Sequence, residues 1–158
     1  SSMNETPNVP EVVVGNRPEY VWEIFAIFSF FEGIEEVLNQ KVDSSNPSEI
    51  SDRIGELIGY YSSSSQVCAS AEWYRNSVYK HEYNRVFDVL KDKEIPKDLK
   101  GMTSPSMLKE YIKSRIADFE YVQTRADRIN RAITHTIDGL RSMLSNAKNE
   151  RSMSRHAQ

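Results

Sequence analysis

Apolar residues in the last third of the chain recur in steps of three and four: Phe119, Val122, Ala126, Ile129, Ile133, Thr136, Leu140, Met143 and Ala147, of which only Thr136 is polar. Such steps return to one side of an α-helix, and holding them for about four heptads makes a coiled-coil-like seam. One helix is therefore predicted over 105–150, opened by Ser104 as cap and by Pro105 in a first turn that needs no amide donor. An earlier stretch has the clearest helix start in the chain. Asn46 caps, Pro47 follows, and Glu49 stands three residues on, where it can reach back to the cap amide. No proline intervenes until Pro96, so a helix over 47–93 is predicted, about 70 Å long at ~1.5 Å per residue.

Gly55, Gly59 and the serines at 62–65 are poor helix formers within it. They either kink the helix or make a seam of small residues. Ile50, Ile54, Leu57, Tyr61, Ser64, Cys68 and Ala71 keep a four-then-three spacing straight through the serines, which favours the seam: Gly55, Gly59, Ser64, Cys68 and Ala71 would let another helix pack closely.

A third helix is predicted over 17–40, with Asn16 as cap and Pro18 in its first turn. Trp22, Ile24, Phe25, Ile27, Phe28, Phe31, Ile34 and Leu38 spread over more than one of its faces, so it is enclosed by its own domain or shared between subunits. The apolar run at 20–31 contains Glu23 and falls short of the ~20 residues a membrane span needs. Residues 1–16, with Pro7, Pro10 and three valines at 12–14, read as a leader; Ser1-Ser2 ahead of Met3 is set aside from fold reasoning. Residues 93–101 form the turn between the long helices, and 151–158 fray. The expected fold is all-α: a long antiparallel helical hairpin, coiled-coil-like, with an additional N-terminal helix, forming one helical domain over 17–158.

Composition agrees with this fold. In 158 residues there are six glycines, six prolines and 27% charged residues, as suits long solvated helices. Cys68 is the single cysteine, so there is neither an internal disulfide nor a thiolate zinc cluster, and the expected compartment is reducing. With no basic n-region ahead of an apolar stretch, no secretory signal is read, and a cytoplasmic location is expected. The net charge of −3 conceals a gradient: residues 1–50 hold nine acids and two bases, and residues 106–158 six acids and ten bases. The basic end can attract phosphate, while the acidic end can repel it or compete for the basic face.

Catalytic signatures are absent. The sequence has no nucleophile elbow, no cysteine with a histidine partner motif, no phosphate loop and no dinucleotide fingerprint. His81, His135 and His156 lack companions at metal-ligand spacing, and His135 with Asp138 reads as a surface pair. Glu32 with Glu35 or Glu36 could supply half of a magnesium site of the all-α pyrophosphohydrolase kind, but Asp88, Asp92, Glu94 and Asp98 run into the turn and do not supply the other half. No catalysis, metal or cofactor is expected.

With the apolar seam of the last helix on one side, about 100° per residue places Arg125, Arg128, Arg131 and His135 on the other, with Tyr121 beside them. Guanidinium groups that pair phosphates, next to a ring that stacks on a base, make a surface suited to single strands. Lys113 extends this row, and Lys80, Arg85 and Lys91 add bases on the preceding helix among Glu82, Asp88 and Asp92. The alternative is that the row is a solvated face and Arg125 pairs with Asp118. Tyr79, Tyr83 and Phe87 follow at i+4 spacing and are expected in the core; Trp73 is expected to be exposed.

The stretch SPSMLKEYIKSRIADFEYVQTRADRINRAITHTIDGLRSMLSNAKNERSM, with Ile137-Asp138-Gly139-Leu140-Arg141-Ser142-Met143-Leu144-Ser145 before Lys148, resembles phage recombination mediator proteins of the UvsY type over about residues 50–153. The resemblance implies a phage protein in the host cytoplasm that binds single-stranded DNA as a ring-like homo-oligomer and assists recombinase loading, with Lys80, Arg85 and Lys91 as its basic stretch. The acidic, aromatic-rich region from Glu11 to Lys41 departs from that family. The competing expectation is a helical adaptor or virion component that binds other proteins and no nucleic acid.

Overall fold

A run of nineteen residues, Val21–Asn39, forms the first helix, α1. It is followed by α2 (Pro47–Lys91), α3 (Pro105–Arg115) and α4 (Ala117–His156). The structure, a computed structural model, describes residues 21–91, 101 and 104–156, with side chains except at 21–26, 91 and 156. The predicted leader, the first turn of the N-terminal helix at 17–20 and the turn at 93–100 lie outside the described residues, as do the side chains of Trp22, Ile24 and Phe25. The fold is all-α, and α2 and α4 pack against each other as the arms of the hairpin.

The helix starts follow from their sequences. Asn46 Oδ1 accepts the Glu49 amide at 3.3 Å, and Ser104 Oγ accepts that of Met107 at 3.2 Å. Glu49 does not return to the cap amide as expected; its carboxylate accepts the Asp43 amide at 3.3 Å, so it ties the linker and not the cap. The end of α1 is closed from outside. Arg53 donates to the carbonyls of Val37 and Gln40 at 2.8 and 2.9 Å, a cation on the negative end of a helix dipole.

Of two expectations about helix continuity, the first holds and the second is corrected. Helix α2 runs unbroken through residues 62–65, because Ser64 is buried and its hydroxyl accepts a hydrogen bond from the Asn130 amide at 3.3 Å. Gly55 and Gly59, however, are exposed and have nothing within 4 Å of where a Cβ would stand. They belong to no internal seam; of the proposed small residues, Ser64 and Ala71 are buried and Cys68 half-buried. The helix predicted over 105–150 is two helices, broken at fully buried Ile116, whose φ of −109° and ψ of 16° leave helical geometry. Its amide is shared between the carbonyls of Ile112 and Lys113, and α4 then runs on to His156.

The chain divides into two compact units. One comprises Ser1–Ile27 and Ala69–Thr124; there Val86 and Ile112 are buried among Tyr79, Val89, Leu90, Leu108 and Tyr111. The other comprises Phe28–Cys68 and Arg125–Gln158; its core takes Phe28, Phe31, Ile34 and Val37 from α1, Ile50 and Leu57 from α2, and Ala126, Ile129, Ile133, Ile137 and Leu140 from α4. The predicted α4 seam is therefore the buried face, with Thr136 and Met143 half-buried at its margin.

The expected core stripe on α2 is corrected as well. Tyr79 is half-buried, but Tyr83 and Phe87 are 46% and 48% exposed, their rings stacked at 6.3 Å with an interplanar angle of 8°. They lie on the flank of α2 turned away from its buried positions Val78, Glu82 and Val86. Trp73 is exposed, as expected.

Candidate nucleic-acid interface

The eight residues proposed from sequence fall into four groups: exposed, half-buried, internally paired, and undescribed. Arg128 and Arg131 are exposed on α4, one turn apart, with His135 a turn further on the same exposed stripe. Among the described residues neither arginine has an ion-pair partner. Asp127, four residues before Arg131, and Asp138, three after His135, are also exposed, so the stripe is a mixed one with its cations foremost. Asp138 lies 3.9 Å from Arg141, too far for a strong hydrogen bond.

Arg125 does not belong to that stripe. It donates to Glu35 at 2.8 Å, and its guanidinium carbon lies 5.0 Å from the centre of the Phe31 ring and 5.7 Å from that of Phe28. The partner proposed from sequence for the structural alternative was Asp118; the observed one is Glu35 of α1, a residue first considered for magnesium. Among the described residues no group of three or more His, Cys, Asp or Glu side chains could hold a metal ion.

In the other unit, Lys80 and Tyr121 are exposed, the latter by 51%, and Lys113 is half-buried on α3. Arg85 is withdrawn: it donates to Glu82 Oε2 at 3.1 Å and toward the Tyr111 hydroxyl at 3.4 Å. The side chain of Lys91 lies outside the described residues. Glu82 is the centre of this cluster and was not foreseen, because its second partner, Arg115 at 2.7 Å, comes from α3, 33 residues away. Burial opposes charge on Glu82, but hydrogen bonds and charge from Arg115 and Arg85 outweigh it and hold the carboxyl below its usual range. Arg75 pairs with Glu120 at 2.8 Å and lies over the Tyr79 ring at 5.0 Å.

Cys68 offers no nucleophile. Burial, followed by the charge and hydrogen bond of Asp127, pushes its thiol up to about 11, so it stays protonated near neutral pH. No helix among the described residues is long and apolar enough to cross a membrane.

No protein-family model, no curated protein and no solved structure matches the chain.

Proposed function

We propose that the protein is a non-enzymatic, self-associating helical protein that contacts single-stranded nucleic acid through the exposed stripe of α4, with Arg128 and Arg131 as its phosphate contacts, and so assists recombination or repair. One contrast supports this reading. Arg75, Arg85, Arg115 and Arg125 are each committed to a carboxylate and Arg53 to the carbonyls that end α1, whereas Arg128 and Arg131 stand exposed a turn apart. A guanidinium pair at that spacing suits a phosphate backbone, and a site of two cations means that useful affinity comes from several copies acting together. The proposed site is smaller than the sequence reading had it, because Arg125 and Arg85 are used internally.

Fluorescence anisotropy of a labelled single strand at two salt concentrations tests the reading. Arg128→Ala with Arg131→Ala is expected to weaken binding and to flatten the logarithmic salt slope by about 1.4, two phosphate contacts on a single strand, with helicity unchanged. Equal binding by this variant would remove the site.

A second reading, a protein-binding adaptor, rests on a different observation. Ile58 and Tyr61 are 50% and 45% exposed and flank an apolar depression on α2 and α4 of about 200 Å³, closed by Ile137 and Thr134. Under that reading the wild-type protein binds no oligonucleotide at any salt.

A further inference from the structure

Between Trp73 and Phe87, α2 presents six exposed residues within about a third of its circumference: Trp73, Asn76, Lys80, Tyr83, Asn84 and Phe87. They comprise three large aromatic groups, two amides, one cation and no carboxylate. Exposed apolar surface gathered this way marks a contact surface. The parallel rings of Tyr83 and Phe87 also form one wall of a groove of about 490 Å³, whose opposite side is Pro105, Leu108 and Lys109 at the start of α3. Among the described residues lining the groove, Lys109 is the only charged one.

We propose that this groove and stripe form a base-stacking slot for single-stranded nucleic acid, with Lys80 and Lys109 as its phosphate contacts; the proposal rests on the ligand class assigned above and adds a second surface for it. The chemistry selects the occupant. Bases offer π-faces to the rings and hydrogen-bonding edges to Asn76 and Asn84, while the backbone supplies the anion that Lys80 and Lys109 favour. A second copy of the chain fits less well. Antiparallel pairing of the stripe about its middle sets Lys80 against its own counterpart and buries the amides against apolar rings without partners.

The test compares an oligothymidine strand with an abasic strand of equal length and charge, on the full chain. Wild type is expected to prefer the oligothymidine by roughly tenfold or more, the worth of one base on one ring. Tyr83→Leu with Phe87→Leu keeps the apolar area but removes the rings, and is expected to abolish that preference while circular dichroism stays unchanged. A preference retained in this variant overturns the slot. So does loss of all binding in the Arg128→Ala, Arg131→Ala variant alongside unchanged oligothymidine binding in the leucine variant, which leaves the α4 reading standing. Equal affinity of wild type for both strands also overturns the slot while sparing α4. Failure of wild type to bind either strand sinks both.

Discussion

Glu82 shows how a single carboxylate can hold a helix in place. Its Oε2 receives Arg85 from its own helix and Arg115 from α3, beside the apolar contact of Val86 and Ile112. A short helix of eleven residues has little stability of its own, so such anchors matter to α3 more than to α2. Glu82→Gln is expected to cost about 1–3 kcal/mol in chemical denaturation, because two guanidinium groups lose a charged acceptor. The pH dependence has a definite sign. Since the folded carboxyl is held below its usual range, its contribution is full above an ordinary glutamate pKa of about 4.3 and is lost as pH falls through the folded value. Melting curves should converge for wild type and variant in acid and separate near neutrality; equal separation at both would show that packing, not charge, sets the difference.

At the scale of elements, much is legible in the sequence. The seam from Phe119 to Ala147 and the caps at Asn46 and Ser104 are local patterns, and local patterns survive into the fold. The break at Ile116 was not legible: no proline or glycine marks it, and it coincides with complete burial of Ile116 and the reach of Arg115 to Glu82, both tertiary facts. Arg125 was misplaced for a related reason. A helical wheel drawn for a two-helix seam leaves its flank in solvent, whereas α1 brings Glu35, Phe28 and Phe31 onto that flank. The glycines of α2 were assigned to a seam because spacing alone cannot tell an inner from an outer stripe of small residues. Their exposure leads to a prediction: Gly55→Ala and Gly59→Ala should each stabilise the chain by about 0.5–1 kcal/mol, the gain in helix propensity where nothing obstructs a methyl group. A fall in melting temperature would mean that another helix covers this face in solution.

For the molecule as a whole, self-association is the property on which the proposed function turns. The proposed reading needs it, since two phosphate contacts per chain give little affinity alone. Light scattering is expected to return a multiple of the 18.2 kDa chain mass, with Ile58→Asp and Tyr61→Ser shifting it toward one chain if the apolar depression on α2 and α4 takes part. A single-chain mass at every concentration would leave nucleic-acid binding without its multiplicity.

The order of the units along the chain has a consequence for how such a protein can change. Residues 69–124 lie between the two stretches, Phe28–Cys68 and Arg125–Gln158, that build the other unit. Everything from Ala69 to Thr124 is thus an excursion from one point in that unit's hairpin and back to another. Lengthening or shortening both arms there by matched whole turns keeps the pairing of Ser64 with Asn130 and of Glu35 with Arg125 in register. Natural variation in chain length should therefore gather in the excursion, and the segment around those two contacts should resist insertion.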